Sequence, residues 1–342
     1  MAIPKRLLVM RLSAMGDVAL CVPVLLALQR KYPETELIAL SRKRFQPILS
    51  QVPGLTFLTA EVEGQHKGIL GLYKLAKKIN LLEPDAAVDL HNVLRTKLLR
   101  NLIKAPVSII DKGRSEKRRL VNDPNFFQAL PHTSERYLDA INQMGYHVQL
   151  EGNEFLPKPR MTDSLKILST GDGRRWVGLA PFAAHETKAL TQTRIRELLT
   201  ALVELENVCL LLFGGGKKET AQLKELAKGL DNVVNIAGTT SFENELALLS
   251  RLDVMIAMDS GNGHLAALYG VPVLTIWGNT HPYAGFAPYA QPATHQLIPN
   301  LDNYPLVPTS IFGNKVIAGY ENAADSISND SIISKVKELL QG

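Results

Sequence analysis

The run Arg11-Leu12-Ser13-Ala14-Met15-Gly16-Asp17 follows an apolar, strand-like stretch and opens a helical one. Gly16 lets backbone N–H groups approach a ligand, and Asp17 places a carboxylate at a helix start. Facing a cleft, Asp17 would act as a general base. The plain alternative is that it caps the helix, accepting from first-turn N–H groups. Asp259-Ser260-Gly261-Asn262-Gly263-His264 has the same strand-to-helix setting and presents two glycines and several N–H groups at a positive helix end, which suits a diphosphate. A carboxylate about 4 Å from a phosphate is repelled by ~1 kcal/mol even in water, so Asp259 is read as addressing sugar hydroxyls, with capping as the alternative. His264, one step into that helix, is either a contact of the anion site or a packed core histidine.

Lys188 lies in the strand-to-helix loop 180–188, where a cation would neutralise a leaving diphosphate or simply be solvated. Gly214-Gly215-Gly216 allows a tight turn beside a ligand, and Glu219 follows in the first helical turn, a place the helix dipole alone favours for glutamate. With Thr239 and Thr240, these loops are expected to ring one cleft, because ligands of open parallel sheets bind beyond the carboxyl ends of strands. In the first half, Asp89-Leu90-His91-Asn92-Val93-Leu94-Arg95 ends a strand, and 112–119 holds Lys112, Arg114, Lys117, Arg118 and Arg119. That charge run is a solvated loop or a clamp for an acidic acceptor. The acceptor candidates are Ser13, Gly16, His91, Arg95, Arg114 and Arg118.

The elements that must position these residues alternate between short apolar runs and helical-period stretches, the pattern of βαβ units with a parallel sheet, and the pattern occurs twice. In the first half strands are expected at 6–10, 36–40, 55–59, 86–90 and 107–110, and helices at 17–32, 44–51, 69–80, 93–103 and 133–144. Pro23 should kink or divide the first helix. The second half alternates strands at 176–180, 208–213, 233–236, 254–257 and 271–277 with helices at 191–206, 217–230, 242–250 and 261–269. Gly152, Pro157 and Pro159 mark a linker, so the expected domains are 1–155 and 165–325. Pro-rich 279–329 is irregular surface or a site-lining loop, and 331–340 is a final helix with one apolar face.

The 342 residues suit about two domains. At 46% hydrophobic and 6% aromatic the cores are aliphatic, as in parallel sheets. Cys21 and Cys209 sit in apolar runs and read as core residues of a reducing compartment, and no Cys/His metal spacing exists. The longest apolar stretch, 18–28, is too short to span a bilayer, no cleavable leader is recognised, and no amphipathic anchor is evident. A cytoplasmic protein is expected. The net charge of +5 favours anionic small molecules or an acidic lipid surface; without aromatic platforms, nucleic acid is disfavoured. The missing Gly-x-Gly-x-x-Gly fingerprint disfavours a dehydrogenase.

Together, Ser13-Ala14-Met15-Gly16-Asp17-Val18, Lys188, Gly214-Gly215 with Glu219, and Asp259-Ser260-Gly261 with His264 and Gly270-Val271-Pro272 resemble the lipopolysaccharide heptosyltransferases, glycosyltransferase family 9. The likeness spans about residues 6–282. It implies a GT-B architecture, two Rossmann-like doubly wound parallel-sheet domains facing a cleft, with the last helix, 331–342, packing back on the first. It also implies an inverting transfer of heptose from ADP-heptose to a lipid-anchored, acidic lipid A/Kdo-type acceptor, with no metal or cofactor and with peripheral contact at the inner membrane face. Matched residue by residue, Asp17 is the base, Lys188 binds diphosphate, Glu219 the ribose and Thr240 the base side, while Asp259, Ser260, Gly261 and His264 form the sugar-diphosphate loop. Ser260, Asn262, Gly263 and His281 depart from the family's usual residues, which leaves open another nucleotide sugar or acceptor, or a non-catalytic nucleotide-sugar-binding module.

Overall fold

The structure, a computed structural model, describes residues 3–162, 173–230 and 232–341. The chain forms two compact units: one takes the chain up to Arg114 together with Pro131–Leu156, the other takes Ser115–Leu130 and the chain from Pro157 onward. The boundary at Leu156 falls inside the expected linker, while the expected domain start at residue 165 and the final residue, 342, lie outside the described residues.

In the first unit the chain runs β1 (Arg6–Met10), α1 (Met15–Ala19), α2 (Cys21–Lys31), β2 (Glu36–Ser41), α3 (Gln46–Leu49) and β3 (Leu55–Thr59). It continues through α4 (Gly68–Leu81), β4 (Ala86–Asp89), α5 (Leu94–Arg100) and β5 (Val107–Ile109); α6 (Arg114–Asn122) leads out of the unit and α7 (Thr133–Asn142) returns to it. The strands are all parallel, in the order β3-β2-β1-β4-β5. Covered on both faces, β1 and β4 need continuous apolar runs, and Leu7, Leu8, Met10, Ala87 and Val88 are fully buried. The helix expected from 17 to 32 is two, parted at Leu20. Pro23 falls in the first turn of α2, where its missing N–H has no intrahelical acceptor to lose.

The second unit contains β6 (Arg175–Ala180), α8 (Gln192–Val203), β7 (Val208–Leu212), α9 (Gly216–Leu226), β8 (Val233–Asn235), α10 (Phe242–Leu249), β9 (Val254–Met258), α11 (Gly261–Ala267), β10 (Val273–Ile276), β11 (Gln296–Leu297) and α12 (Asn329–Gln341). Its parallel sheet has the order β11-β10-β9-β6-β7-β8. In each unit the strand order reverses at one place, between β1 and β4 and between β6 and β9, and there the loops beyond the strand ends are left side by side.

Two expectations are corrected. The final helix finds a docking surface for its apolar face in its own unit: Ile332 and Val336 are buried in the cluster that holds Leu198 and Leu202, and α12 packs on α8. The apolar stripe is satisfied within its own unit. The basic run 112–119 is not a loop of the first domain; from Arg114 it is helical, and 115–130 belongs to the second unit. Leu120, Phe126 and Leu130 pack with Tyr283, Phe286 and Ile311, and Lys117 Nζ lies 3.9 Å from the centre of the Phe286 ring.

Candidate functional site

At the reversal in the first sheet, Met10 and Asp89 are register partners, so the loops after β1 and β4 run together. Ser13 Oγ lies 3.2 Å from His91 Nε2, and Arg11 Nη1 donates to the Leu90 carbonyl at 2.5 Å. Asp89 is buried and shapes its own loop, accepting from the N–H groups of His91 and Asn92 and pairing with Arg100 at 3.4 Å. Asp17 occupies the third position of α1 and reaches back to accept from the Ala14 N–H at 3.1 Å. The same oxygen, Oδ2, is held 2.5 Å from Arg11 Nη2, with the aspartate side chain 25% exposed. The capping alternative therefore describes half of what Asp17 does: one oxygen is fixed by the helix start and the guanidinium. Tyr137, fully buried, donates to the Asp17 carbonyl and anchors the turn from beneath.

Burial, with Arg11 and Lys112 nearby, pushes His91 down to about 3, so its imidazole is neutral at ordinary pH. Burial also lowers half-buried Lys112, with Arg11 and Arg114 adding to the effect. Cys21 donates to the Asp17 carbonyl, and burial pushes its thiol up to about 12, as suits a core residue.

At the reversal in the second sheet, the loop after β6 contains a single helical turn, Glu186–Lys188, that carries Lys188 out of solvent. Lys188 Nζ lies 2.8 Å from Asp259 Oδ2, with side chains 13% and 12% exposed, and Thr280 Oγ1 donates to the same oxygen at 2.8 Å. Asp259 thus does not cap α11; Ser260 takes the cap position without a side-chain bond. Two glycines make this packing feasible. A Cβ at Gly278 would run into the Thr187 carbonyl, and one at Gly313, whose φ is +72°, would overlap the Lys188 side chain. The Asn279 N–H donates to that Thr187 carbonyl, and the Thr309 N–H to the Asn279 carbonyl.

Around this ion pair, buried polar atoms accumulate without partners among the described residues: Ser260 Oγ, both amide atoms of Asn279, and the hydroxyls of Thr309 and Ser310. Each such atom costs about 1–3 kcal/mol unless something else satisfies it, so the cluster has the chemistry of a site for a hydroxyl-rich or phosphorylated ligand. His264 is buried in α11 next to it in sequence, and Gly263 lets that helix press on Ala257 and Val273.

Other candidates are engaged locally. Glu219 accepts from the Gly215 N–H at 2.7 Å, the role its helix position favours, and also borders a cavity of about 360 Å³ with Pro181, Phe182, Glu186, Lys218 and Gln222. Thr240 accepts from Asn244 Nδ2. Arg95 is half-buried on α5, and Arg114 is exposed at the first unit's edge. Arg118 is exposed on the second unit rather than the first, so the acceptor clamp expected within one domain loses that member. Sequence reasoning missed Arg11 as the partner of Asp17, and Thr280, Asn279, Thr309 and Ser310. Asn279 and Thr280 follow a strand end, a signal that was there to use; Thr309 and Ser310 carry none, since only the fold returns them.

Residues 72–311 match the family model for glycosyltransferase family 9 (heptosyltransferase). The lipopolysaccharide core heptosyltransferase OpsX of Haemophilus influenzae is 26% identical over 303 residues, which is 84% of this chain and 82% of that protein. The glycosyl transferase family 9 structure from Veillonella parvula DSM 2008 superposes with a TM-score of 0.76 at 19% identity, covering 98% of this chain and 97% of that one. Heptosyltransferase WaaC of E. coli, solved with ADP, gives 0.69 at 16% identity over 98% and 99%; solved with ADP-2-deoxy-2-fluoro heptose it gives 0.67 at 16% over 97% and 99%. These likenesses show the GT-B class of fold, two Rossmann-like α/β domains. Because the family match covers well over half of a chain with these two sheets and these strand-end loops, the protein belongs to glycosyltransferase family 9, the heptosyltransferase family, and is a glycosyltransferase.

Proposed function

We propose that this protein transfers a heptose from ADP-heptose to a lipid-anchored Kdo or inner-core lipopolysaccharide acceptor, with inversion at the anomeric carbon. The observation that carries the donor side is the Lys188–Asp259–Thr280 arrangement among partnerless buried hydroxyl and amide atoms. It offers a sheltered cation for a diphosphate and a carboxylate for sugar hydroxyls. ADP in particular is suggested by the WaaC complexes.

Asp17, its Oδ2 held by Arg11 and the Ala14 N–H, takes the proton of the acceptor hydroxyl as that oxygen attacks the anomeric carbon. The bond from that carbon to the diphosphate oxygen breaks through an oxocarbenium-like state, its electron pair leaving with ADP. Lys188 and the amides near Gly261 receive the charge, so the reading assigns the leaving group no metal and names no cofactor. Asp259, Ser260 and His264 hold the sugar-diphosphate, Glu219 the ribose and Thr240 the adenine side. Ser13, Gly16, His91, Arg95 and Arg114 are assigned to the acceptor. The reaction requires the acceptor hydroxyl at Asp17 to meet the donor's anomeric carbon in the reacting complex.

The test is ADP release from ADP-heptose in the presence of a Kdo-lipid A acceptor and EDTA, with the new linkage's configuration read by NMR. Asp17→Asn should lower turnover about 100-fold or more with donor affinity nearly unchanged. Unaltered turnover removes the base assignment, a retained anomeric configuration removes inversion, and thermal stabilisation by a different nucleotide sugar alone removes the donor.

A further inference from the structure

The helices α4 and α5 carry apolar side chains that the core does not use. On α4, Gly71, Leu72, Leu75, Ala76 and Ile79 are buried and form the inner side. Ile69 and Leu70 point the other way, 75% and 80% exposed, and Tyr73 is half exposed. On α5, Thr96 and Leu99 are buried while Leu94 is 74% exposed and Leu98 is also exposed. Ile69, Leu72, Val93, Leu94 and Leu98 line one open groove of about 380 Å³, so the two helices present a joined apolar surface. Singly exposed leucines are ordinary; a contiguous patch marks an interface.

The charges carried by the two helices are of one sign. Lys74, Lys77 and Lys78 lie on α4, Lys97 on α5 and Lys67 just before α4, and neither helix contains an aspartate or glutamate. Lys77 Nζ sits 4.8 Å from the centre of the Tyr73 ring, joining an aromatic body to a cation. A second copy of this chain docking symmetrically would set lysine against lysine. Nucleic acid would use the lysines but leave the leucines in water. An anionic bilayer satisfies both, with aliphatic side chains in the acyl boundary and long basic side chains reaching back to the headgroups.

We infer that the outward face of α4 and α5 docks on an anionic phospholipid bilayer, with Ile69, Leu70 and Leu94 entering the acyl boundary and Lys74, Lys77, Lys78 and Lys97 meeting headgroup phosphates. The anchor is built from two helices that tertiary packing sets side by side, and so differs from the single amphipathic segment sought in the sequence. The inference is independent of the substrate reading, because a membrane without any glycolipid is enough to test it.

The experiment is flotation of the full-length protein with vesicles of phosphatidylcholine alone or containing about 30% phosphatidylglycerol. Partition is expected on the anionic vesicles, about tenfold or more weaker on the neutral ones, and falling as salt rises. The triple variant Ile69→Ser/Leu70→Ser/Leu94→Ser should lose about tenfold or more of that partition, and Lys74→Gln/Lys77→Gln/Lys78→Gln a similar factor. All six side chains are exposed, so both variants should keep the parent's unfolding midpoint and its thermal shift with ADP, which separates a failure here from a failure of the donor reading. No partition on anionic vesicles at low salt, or equal partition by the serine variant and the parent, overturns the inference. So does a self-association seen by sedimentation that the serine substitutions abolish while vesicle binding stays unchanged.

Discussion

Replacing Lys188 by Met keeps the reach of the side chain and removes its charge, which separates the two tasks assigned to it, holding Asp259 and holding a diphosphate. The pair is 2.8 Å apart with both side chains close to nine-tenths buried, and once the ammonium is gone the carboxylate keeps, among the described residues, the Thr280 hydroxyl. Breaking a sheltered pair from one side costs about 3 kcal/mol, which in a domain of this size lowers the unfolding midpoint by roughly 6–12 °C. For binding, a phosphate charge about 4 Å from the ammonium gains about 4 kcal/mol at an effective dielectric near 20; taking half of that for lost hydration leaves about 2 kcal/mol, or roughly thirtyfold in Kd. Calorimetric titration with ADP and thermal unfolding read the two effects separately. Asp259→Asn should keep or tighten ADP binding while removing the added affinity of the sugar nucleotide. The double variant Lys188→Met/Asp259→Asn should regain stability through a coupling of about 1–3 kcal/mol without regaining ADP binding. An unstable Lys188→Met protein that still binds ADP within about twofold of the parent would refute the diphosphate role and leave the lysine only its ion pair.

Gly313→Ala puts a methyl on a residue at φ +72° and into the Lys188 side chain, so it should lose about 1–2 kcal/mol and weaken ADP binding, whereas Gly215→Ala, with open space around the new carbon, should do neither by thermal unfolding. His91 is held at about 3 in the folded chain against ~6.5 unfolded, so the unfolded state takes the proton first; the contribution is whole above ~6.5 and is lost as pH falls from there toward 3. His91→Asn should flatten that acid limb by about 1–2 kcal/mol between neutral pH and pH ~4 in urea titrations. Glu245 runs the other way: burial raises it to about 7, so its charging destabilises the fold as pH rises from ~4.5 through 7. After discounting for its partial exposure, Glu245→Gln should add about 1 kcal/mol at pH ~8 and nothing at pH ~4.

Much of this protein is local and therefore readable along the chain. Strands buried on both faces must be apolar throughout, so runs such as Leu7–Met10 and Val254–Met258 announce themselves, and helices between them follow from their apolar stripes. The strand-end rule singles out Asp17, Lys188 and Asp259 as candidates, because parallel sheets place their ligands there. What a residue touches is different. Nothing near Lys188 in sequence says that its ammonium meets Asp259, that Gly313 must lack a side chain to let it pass, or that Thr309 and Ser310 lie buried near it. Residues 115–130 read as first-domain chain until their apolar side chains find Tyr283, Phe286 and Ile311, and the last helix reads as a strap until it packs on α8. Sequence by itself determined most of the elements, the two sheets and the strand-end loops that are candidates for the chemistry, since periodicity and turn residues act over a few positions. Tertiary structure alone decided which charges pair, which polar atoms are left without partners and which apolar faces stay open, because those depend on distances between segments far apart along the backbone.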